Sequence, residues 1–179
     1  MDERQIRLLH YPLPRLGHVG VERVCSGIGV PNIYEFLRDE ENITERREIA
    51  QLIASVKDHT NAIVEAAFDP QHPRELCLAT VDLLVSILAS EAGNLALKVL
   101  ATGGVYWAGG IVLHLVKLLQ KPQFVQTFTR KGHFKNLMER MPIHIITTRA
   151  ALVGAATFGL QSLSRLKNRE PAKASLAPA

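Results

Sequence analysis

The chain has 179 residues, of which 47% are apolar and 21% are charged, and its formal net charge is +4. This length and composition exclude a disordered or fibrous chain and suit one globular domain with a hydrophobic core. The two cysteines, Cys25 and Cys77, lie far apart in the sequence. Their separation argues against a disulfide framework or a zinc site and favours a reducing, cytoplasmic location.

The first part of the chain is predicted to be helical. No signal peptide is expected, because the N-terminal residues carry charges of both signs and no long apolar run follows them. Helices are predicted over residues 2–9, Pro31–Leu37, Glu45–Ser55, Asp58–Phe68 and Arg74–Ala101. Thr44 is the predicted cap of the third of these helices. In the last one, apolar residues recur every three or four positions from Val81 to Val99 and predict one buried stripe.

The second part of the chain combines short strands with helices. Gly103-Gly104 is expected to end the long helix. Buried strands are predicted over Val105–Ala108 and Ile143–Ile146, and helices over Ile111–Gln120, Pro122–Phe128, Gly132–Met141 and Ala150–Leu166. This order predicts two neighbouring parallel strands with crossover helices. Because two strands alone do not make a stable sheet, the pattern indicates that further strands belong with them.

Two segments bear on the partners of the chain. Val99–Val116 contains no Asp, Glu, Lys or Arg over 18 residues, which is the length of a candidate membrane span. Two glycine pairs lie within it and would break a helix, so we expect no membrane partner. Residues 165–179 form a basic, small-residue segment that is typical of a disordered tail, and we expect no nucleic-acid partner.

The densest local pattern is Ala101–Ile111, in which one glycine pair precedes a predicted strand and a second pair follows it. A strand that ends in two glycines and leads into a helix lets a flat ligand approach the backbone, and the N-terminus of the helix favours negative charge. These features suit a nucleotide, but a tight turn without a ligand explains them equally well. The spacing is not a P-loop, because Gly110 and Ile111 occupy the Lys and Ser/Thr positions.

Several separate segments together resemble the bacterial glucokinases, a family of the actin-like ATPase superfamily. Gly103–Ile111 resembles the adenosine-binding turn of that family. The other segments, in the order of the family, are Gly17–Gly27, Asn32–Leu37, Gly93–Leu97, Arg130–Lys135, Met141–Ile146 and Ala151–Ala156. The resemblance covers residues 2–163. It implies an α/β fold, namely the C-terminal portion of an actin-like ATPase (ribonuclease-H-like) lobe that is helix-rich with about two remaining parallel strands.

The resemblance also implies a function, the ATP-dependent phosphorylation of glucose to glucose 6-phosphate with ATP and Mg²⁺ as cofactors. Glu22 would accept hydrogen bonds from sugar hydroxyls. Gly104, Gly109 and Gly110 would seat the adenosine, and Gly154 would lie on a helix that assists closure. On the residues alone, Glu22 would be a surface carboxylate paired with its neighbour Arg23.

The catalytic motifs of the family are not found in this sequence. Glucokinases are expected to carry an Asp-Gly-Gly-Thr phosphate loop, an Asn-Asp pair, a Gly-Thr-Gly loop and a Glu-Gly-Gly-His motif, none of which precedes residue 17. The resemblance therefore implies a region over residues 1–164 without its N-terminal lobe, without catalytic or metal-binding residues, and inactive alone. Its partners would be glucose, ATP, and a second copy or a complementary N-terminal half. The alternative is a non-catalytic nucleotide- or sugar-binding lobe with a regulatory or structural role.

Overall fold

The computed structural model describes residues 3–69, 74–148 and 150–167. In chain order its elements are α1 (Glu3–His10), α2 (Leu13–Leu16), α3 (Gly29–Asp39), α4 (Arg47–Ser55), α5 (His59–Ala67), α6 (Glu75–Lys98), β1 (Val105–Trp107), α7 (Gly110–Leu119), α8 (Pro122–Thr129), α9 (Lys135–Met138), β2 (Ile143–Ile145) and α10 (Ala150–Lys167). Most of the predicted helices are confirmed. The disordered tail was predicted over residues 165–179, and its part beyond residue 167 lies outside the described residues.

Helix α6 forms the centre of the fold, and α3, α5 and α8 pack around it. Cys77, Val81 and Ala89 of this helix are fully buried. By length and hydropathy, α6 could cross a membrane, but half of its most apolar window is buried inside the fold. This burial is what a core helix requires, because a helix surrounded by other helices is apolar on several faces. The uncharged segment Val99–Val116 contains β1 and most of α7 and is not a single helix.

The prediction for the C-terminal end of α6 was wrong. The helix ends at Lys98, several residues before the glycine pair, because Leu100 adopts a left-handed backbone conformation with φ 50°. The amide of Ala101 then donates to the carbonyl oxygen of Ala96, which satisfies a helix-end acceptor. Leu95 and Val99, the end of the predicted buried stripe, are 59% and 63% exposed. Gly93 and Ala96 are buried instead, so the buried face of the last turns lies beside the predicted stripe.

Helix α4 also begins later than predicted, at Arg47, and Thr44 does not cap it. Glu45 is held outside the helix by a long-range contact. Its carboxylate accepts a hydrogen bond from the Tyr34 hydroxyl at 2.9 Å and lies 3.6 Å from the Arg38 guanidinium. Burial and this hydrogen bond raise the pKa of Tyr34. A tertiary contact thus overrides the local capping pattern.

Strands β1 and β2 form the predicted parallel pair. Val105 lies opposite Ile143, Tyr106 opposite His144, and Trp107 opposite Ile145. One face of the pair packs on the core, whereas Tyr106 and His144 stack on the other face with ring centroids 4.7 Å apart. Tyr106 is 63% exposed, so the strands are not buried on both faces as predicted. Parallel sheets normally have more strands and are covered on both faces.

Helix α10 presents apolar side chains to solvent along its described length. Its exposed large apolar residues are Leu152, Val153, Phe158, Leu160 and Leu163, at 59% to 72% exposure. A monomeric protein rarely leaves this many apolar side chains uncovered on one element. The helix therefore has the character of a surface that packs against further protein.

We expect the isolated chain to self-associate through α10, since burial of apolar side chains stabilises association. The double variant Phe158→Gln/Leu160→Gln should shift the sedimentation-velocity distribution towards the monomer at equal concentration. The control, Gln161→Ala, changes an exposed polar residue of the same helix and should leave the distribution unchanged. A monomeric parent chain, or a double variant that sediments like the parent, would contradict this expectation.

Candidate functional site

Glu22 lies on an exposed 3₁₀ turn, Val21–Arg23, that is fixed at its C-terminal side. Val24, directly after the turn, is buried in the core. The Ser26 hydroxyl donates to the carbonyl oxygen of Glu22 at 2.7 Å, and the Asn32 side-chain amide donates to that of Arg23 at 2.9 Å. These contacts hold the backbone and leave the carboxylate of Glu22 exposed. Within the described part of the chain, no ion pair between Glu22 and Arg23 is observed.

The turn between β1 and α7 has an open backbone. Gly109 has φ 120°, a conformation that residues with side chains rarely adopt. A Cβ added at Gly109 or Gly110 would have no other atom within 4 Å. Gly110 is the first residue of α7, where backbone N–H groups lack partners within the helix. The turn can therefore be approached closely by a flat ligand.

Gly104, at the other end of β1, has a different environment. Its φ is 109°, and an added Cβ would lie 3.0 Å from the carbonyl oxygen of Pro142 and 3.2 Å from the ring of His144. The missing side chain lets the start of β2 approach the start of β1. The structure thus surrounds Gly104 with the neighbouring strand, whereas Gly109 and Gly110 face open space.

A cavity of about 200 Å³ opens beside Gly110, between the N-termini of α5 and α7. Its walls include the N-cap residue Asp58 with Thr60 and Asn61 of α5, and Gly110, Ile111 and His114 of α7. The Asp58 carboxylate caps α5 by accepting a hydrogen bond from the Asn61 amide at 3.0 Å. The sequence patterns did not select the α5 residues as site residues. The only sequence signal that could have selected them is their position at the start of a predicted helix.

Thr60 connects this cavity to the segment that carries Glu22. Its hydroxyl donates a hydrogen bond to the carbonyl oxygen of Gly27 at 2.6 Å, and Thr60 also lines the cavity. The Glu22 segment therefore contacts the N-terminal turn of α5, which shares a cavity with Gly110 although the two segments are distant in the sequence. Two of the regions that the sequence selected are thus linked through α5.

The described residues do not fit a Mg²⁺ site by themselves. Over residues 3–69, 74–148 and 150–167, no group of three Asp, Glu, His or Cys side chains could hold a metal ion. Asp58 is the one carboxylate among the residues that line the cavity beside Gly110. Gly154 lies on the exposed helix α10 and is not among those residues.

Comparisons with known proteins match most of this chain to one family. A family model for glucokinase matches residues 1–162. A glucokinase from Trichormus variabilis is 38% identical over 87% of this chain and 48% of its own length. A glucokinase from Synechocystis is 37% identical over 82% of this chain and 44% of its own length.

The fold comparison gives a similar result. The crystal structure of a glucokinase from an Antarctic psychrotroph matches 83% of this chain and 42% of that one, with 26% identity and a TM-score of 0.63. The match confirms the predicted fold, a helix-rich α/β unit with two parallel strands that corresponds to part of a larger structure. The chain spans about half the length of the curated relatives named above.

Proposed function

Because the chain belongs to the glucokinase family over residues 1–162, we propose that it is one part of a cytoplasmic enzyme that transfers phosphate from ATP to the 6-hydroxyl of glucose. In this proposal, residues 1–164 are the C-terminal region of that enzyme, and Mg²⁺ is its metal cofactor. The observation that carries the proposal is the Thr60 contact. It connects the segment that bears Glu22 to the N-terminal turn of α5, which lines the cavity beside Gly110.

The chain would contribute binding groups to the reaction. Adenosine would lie against the backbone of Gly109 and Gly110, in the cavity lined by Thr60. The exposed carboxylate of Glu22 has two acceptor oxygens and could accept hydrogen bonds from two hydroxyls of a sugar. Gly104 would support the adenosine site indirectly, because it sets the position of β1.

The remaining catalytic groups would come from the other half of the length that the family spans. Phosphoryl transfer depends mainly on positioning and on neutralising charge around the phosphate. The described residues offer no cluster of metal ligands for that purpose. We therefore propose that the chain alone is inactive. Its partner would be a complementary half that covers α10 and the exposed face of the β1–β2 pair, and Gly154 would lie at that contact.

Nucleotide binding tests this proposal on the chain itself. Trp107 is the sole tryptophan and lies two residues before Gly109, so its fluorescence should report on a bound nucleotide. Titration with ATP is expected to give a saturable change. The variant Gly110→Val should weaken ATP binding at least about tenfold, because its side chain would occupy the open space over the turn.

The control for this variant is Gly159→Ala, on the exposed helix α10. A Cβ at either position would have no other atom within 4 Å, so both variants should unfold at the temperature of the parent chain or above it. A parent chain that gives no response to ATP would contradict the adenosine assignment. Unchanged affinity in a folded Gly110→Val variant would contradict it as well.

A further inference from the structure

A second and larger cavity, of about 320 Å³, lies next to the segment that carries Glu22. Four parts of the chain converge on it, namely α1, residues 19–24, α6 and the C-terminal end of α8 with Arg130 and Lys131. Leu8, Leu9, Val19 and Ile87 give it apolar walls. A volume of this size, with apolar walls and a few polar groups, is typical of a site for a small ligand.

Lys131 brings a half-buried cation to this cavity. Its ammonium group donates to the carbonyl oxygen of Ser90 at 2.8 Å and to the side-chain oxygen of Asn94 at 2.7 Å. Both acceptors are neutral, and an ammonium group has a third donor. Desolvation lowers the pKa of Lys131, Glu91 raises it, and the nearby charge of Arg130 lowers it. The positive charge of Lys131 is therefore only partly neutralised by its surroundings.

Arg130 adds a second positive charge beside the first. Its side chain is exposed and, within the described residues, forms no hydrogen bond or ion pair. Glu91 is the one acidic residue among those that line the cavity, and its carboxylate accepts a hydrogen bond from Asn94 at 3.2 Å. Two cations and one carboxylate leave a net charge of +1. An anion could bond Arg130 and the third donor of Lys131 at the same time.

The cavity adjoins the segment that carries Glu22. Val21 and Val24 both line it, and Glu22 lies between them on the same turn. A molecule in the cavity would contact the side chains of Val21 and Val24, which lie on either side of Glu22 in the sequence. We propose that the cavity beside Lys131 binds a small organic anion, a carboxylate or phosphate ester with a compact body, and that its occupation fixes the turn that carries Glu22.

The test is ¹H–¹⁵N NMR titration of the chain with defined probes. The two organic anions are butyrate and butyl phosphate, and butyramide and inorganic phosphate are the comparison probes. At least one organic anion should shift the amides of Val21, Val24 and Lys131 in a saturable way. Butyramide lacks the charge and should not bind, and inorganic phosphate lacks the body and should bind more weakly than the preferred organic anion.

The variant Arg130→Gln should weaken binding of the preferred anion about tenfold, as expected for the loss of a charge-assisted hydrogen bond. The control is Lys117→Gln, which removes one exposed positive charge from α7 and should leave the affinity unchanged. Equal weakening by both variants would overturn the proposal, because the effect would then be one of net charge. Shifts confined to other residues, binding of inorganic phosphate alone, or no binding would also overturn it. ATP binding is measured separately, so this outcome is independent of the glucokinase proposal.

Discussion

Replacing Gly93 with alanine is expected to destabilise the chain by about 3 kcal/mol or more, because a well-packed contact has no room for a side chain. Gly93 lies on α6 and is buried. A Cβ at this position would lie 2.4 Å from the carbonyl oxygen of Phe128 and 2.6 Å from Cε of Lys131. The first of these atoms is backbone at the buried end of α8, so it cannot move without shifting that helix.

Urea unfolding followed by circular dichroism measures this effect. In a helix without such a contact, alanine is favoured over glycine by up to about 1 kcal/mol. Gly159→Ala on α10 is the matched control, since an added Cβ there has no other atom within 4 Å, and it should be neutral or stabilising. A Gly93→Ala variant as stable as the parent chain would show that α6 and α8 do not pack as closely as described.

Replacing Glu22 with glutamine is expected to lower kcat/KM for glucose about a hundredfold in a protein that contains both halves of the family's length. The proposed carboxylate accepts two hydrogen bonds from the sugar, and bonds to a charged acceptor contribute about 1.5–3 kcal/mol each. Glutamine keeps the shape but loses the charge and one acceptor. The KM for ATP should stay unchanged, because Glu22 is not among the residues that line the cavity beside Gly110.

The protein for this experiment joins the part of the Trichormus variabilis glucokinase outside the matched region to the N-terminus of this chain, and it is called the joined protein below. Glu40→Gln is the matched control. Glu40 is also an exposed carboxylate, and within the described residues it forms no ion pair. Equal activity of the Glu22→Gln and Glu40→Gln variants would contradict the assignment of Glu22 to the sugar site.

The predictable part of the fold was the part that local sequence determines. Apolar periodicity located most of the helices, and short bulky segments bounded by glycine or proline located both strands. The order of strands and helices along the chain predicted the parallel pairing. The errors arose where a distant residue decides the local conformation. Glu45 lies outside α4 because it contacts Tyr34, and Leu95 is exposed because the end of α6 packs through Ala96, which contacts the cluster of Phe128 and Met138.

The candidate site was predictable to a similar extent. The open turn at Gly109 and Gly110 follows from a glycine pair between a strand and a helix. The packing of Gly104 against β2 and the contact of Thr60 with Gly27 depend on residues distant in the sequence. The segment Gly93–Leu97 was selected by family resemblance alone. The structure gives it a physical role, since Gly93 allows α8 to pack closely against α6 and Asn94 accepts a hydrogen bond from Lys131.

Glucose-dependent ADP production, measured for the isolated chain and for the joined protein, tests most directly whether this chain supplies the proposed adenosine and sugar contacts of a glucokinase and needs a complementary half for catalysis. We expect no turnover by the isolated chain and turnover by the joined protein at ordinary kinase rates, about 1–100 s⁻¹. Turnover at such rates by the isolated chain, or a folded joined protein without activity, would contradict this expectation.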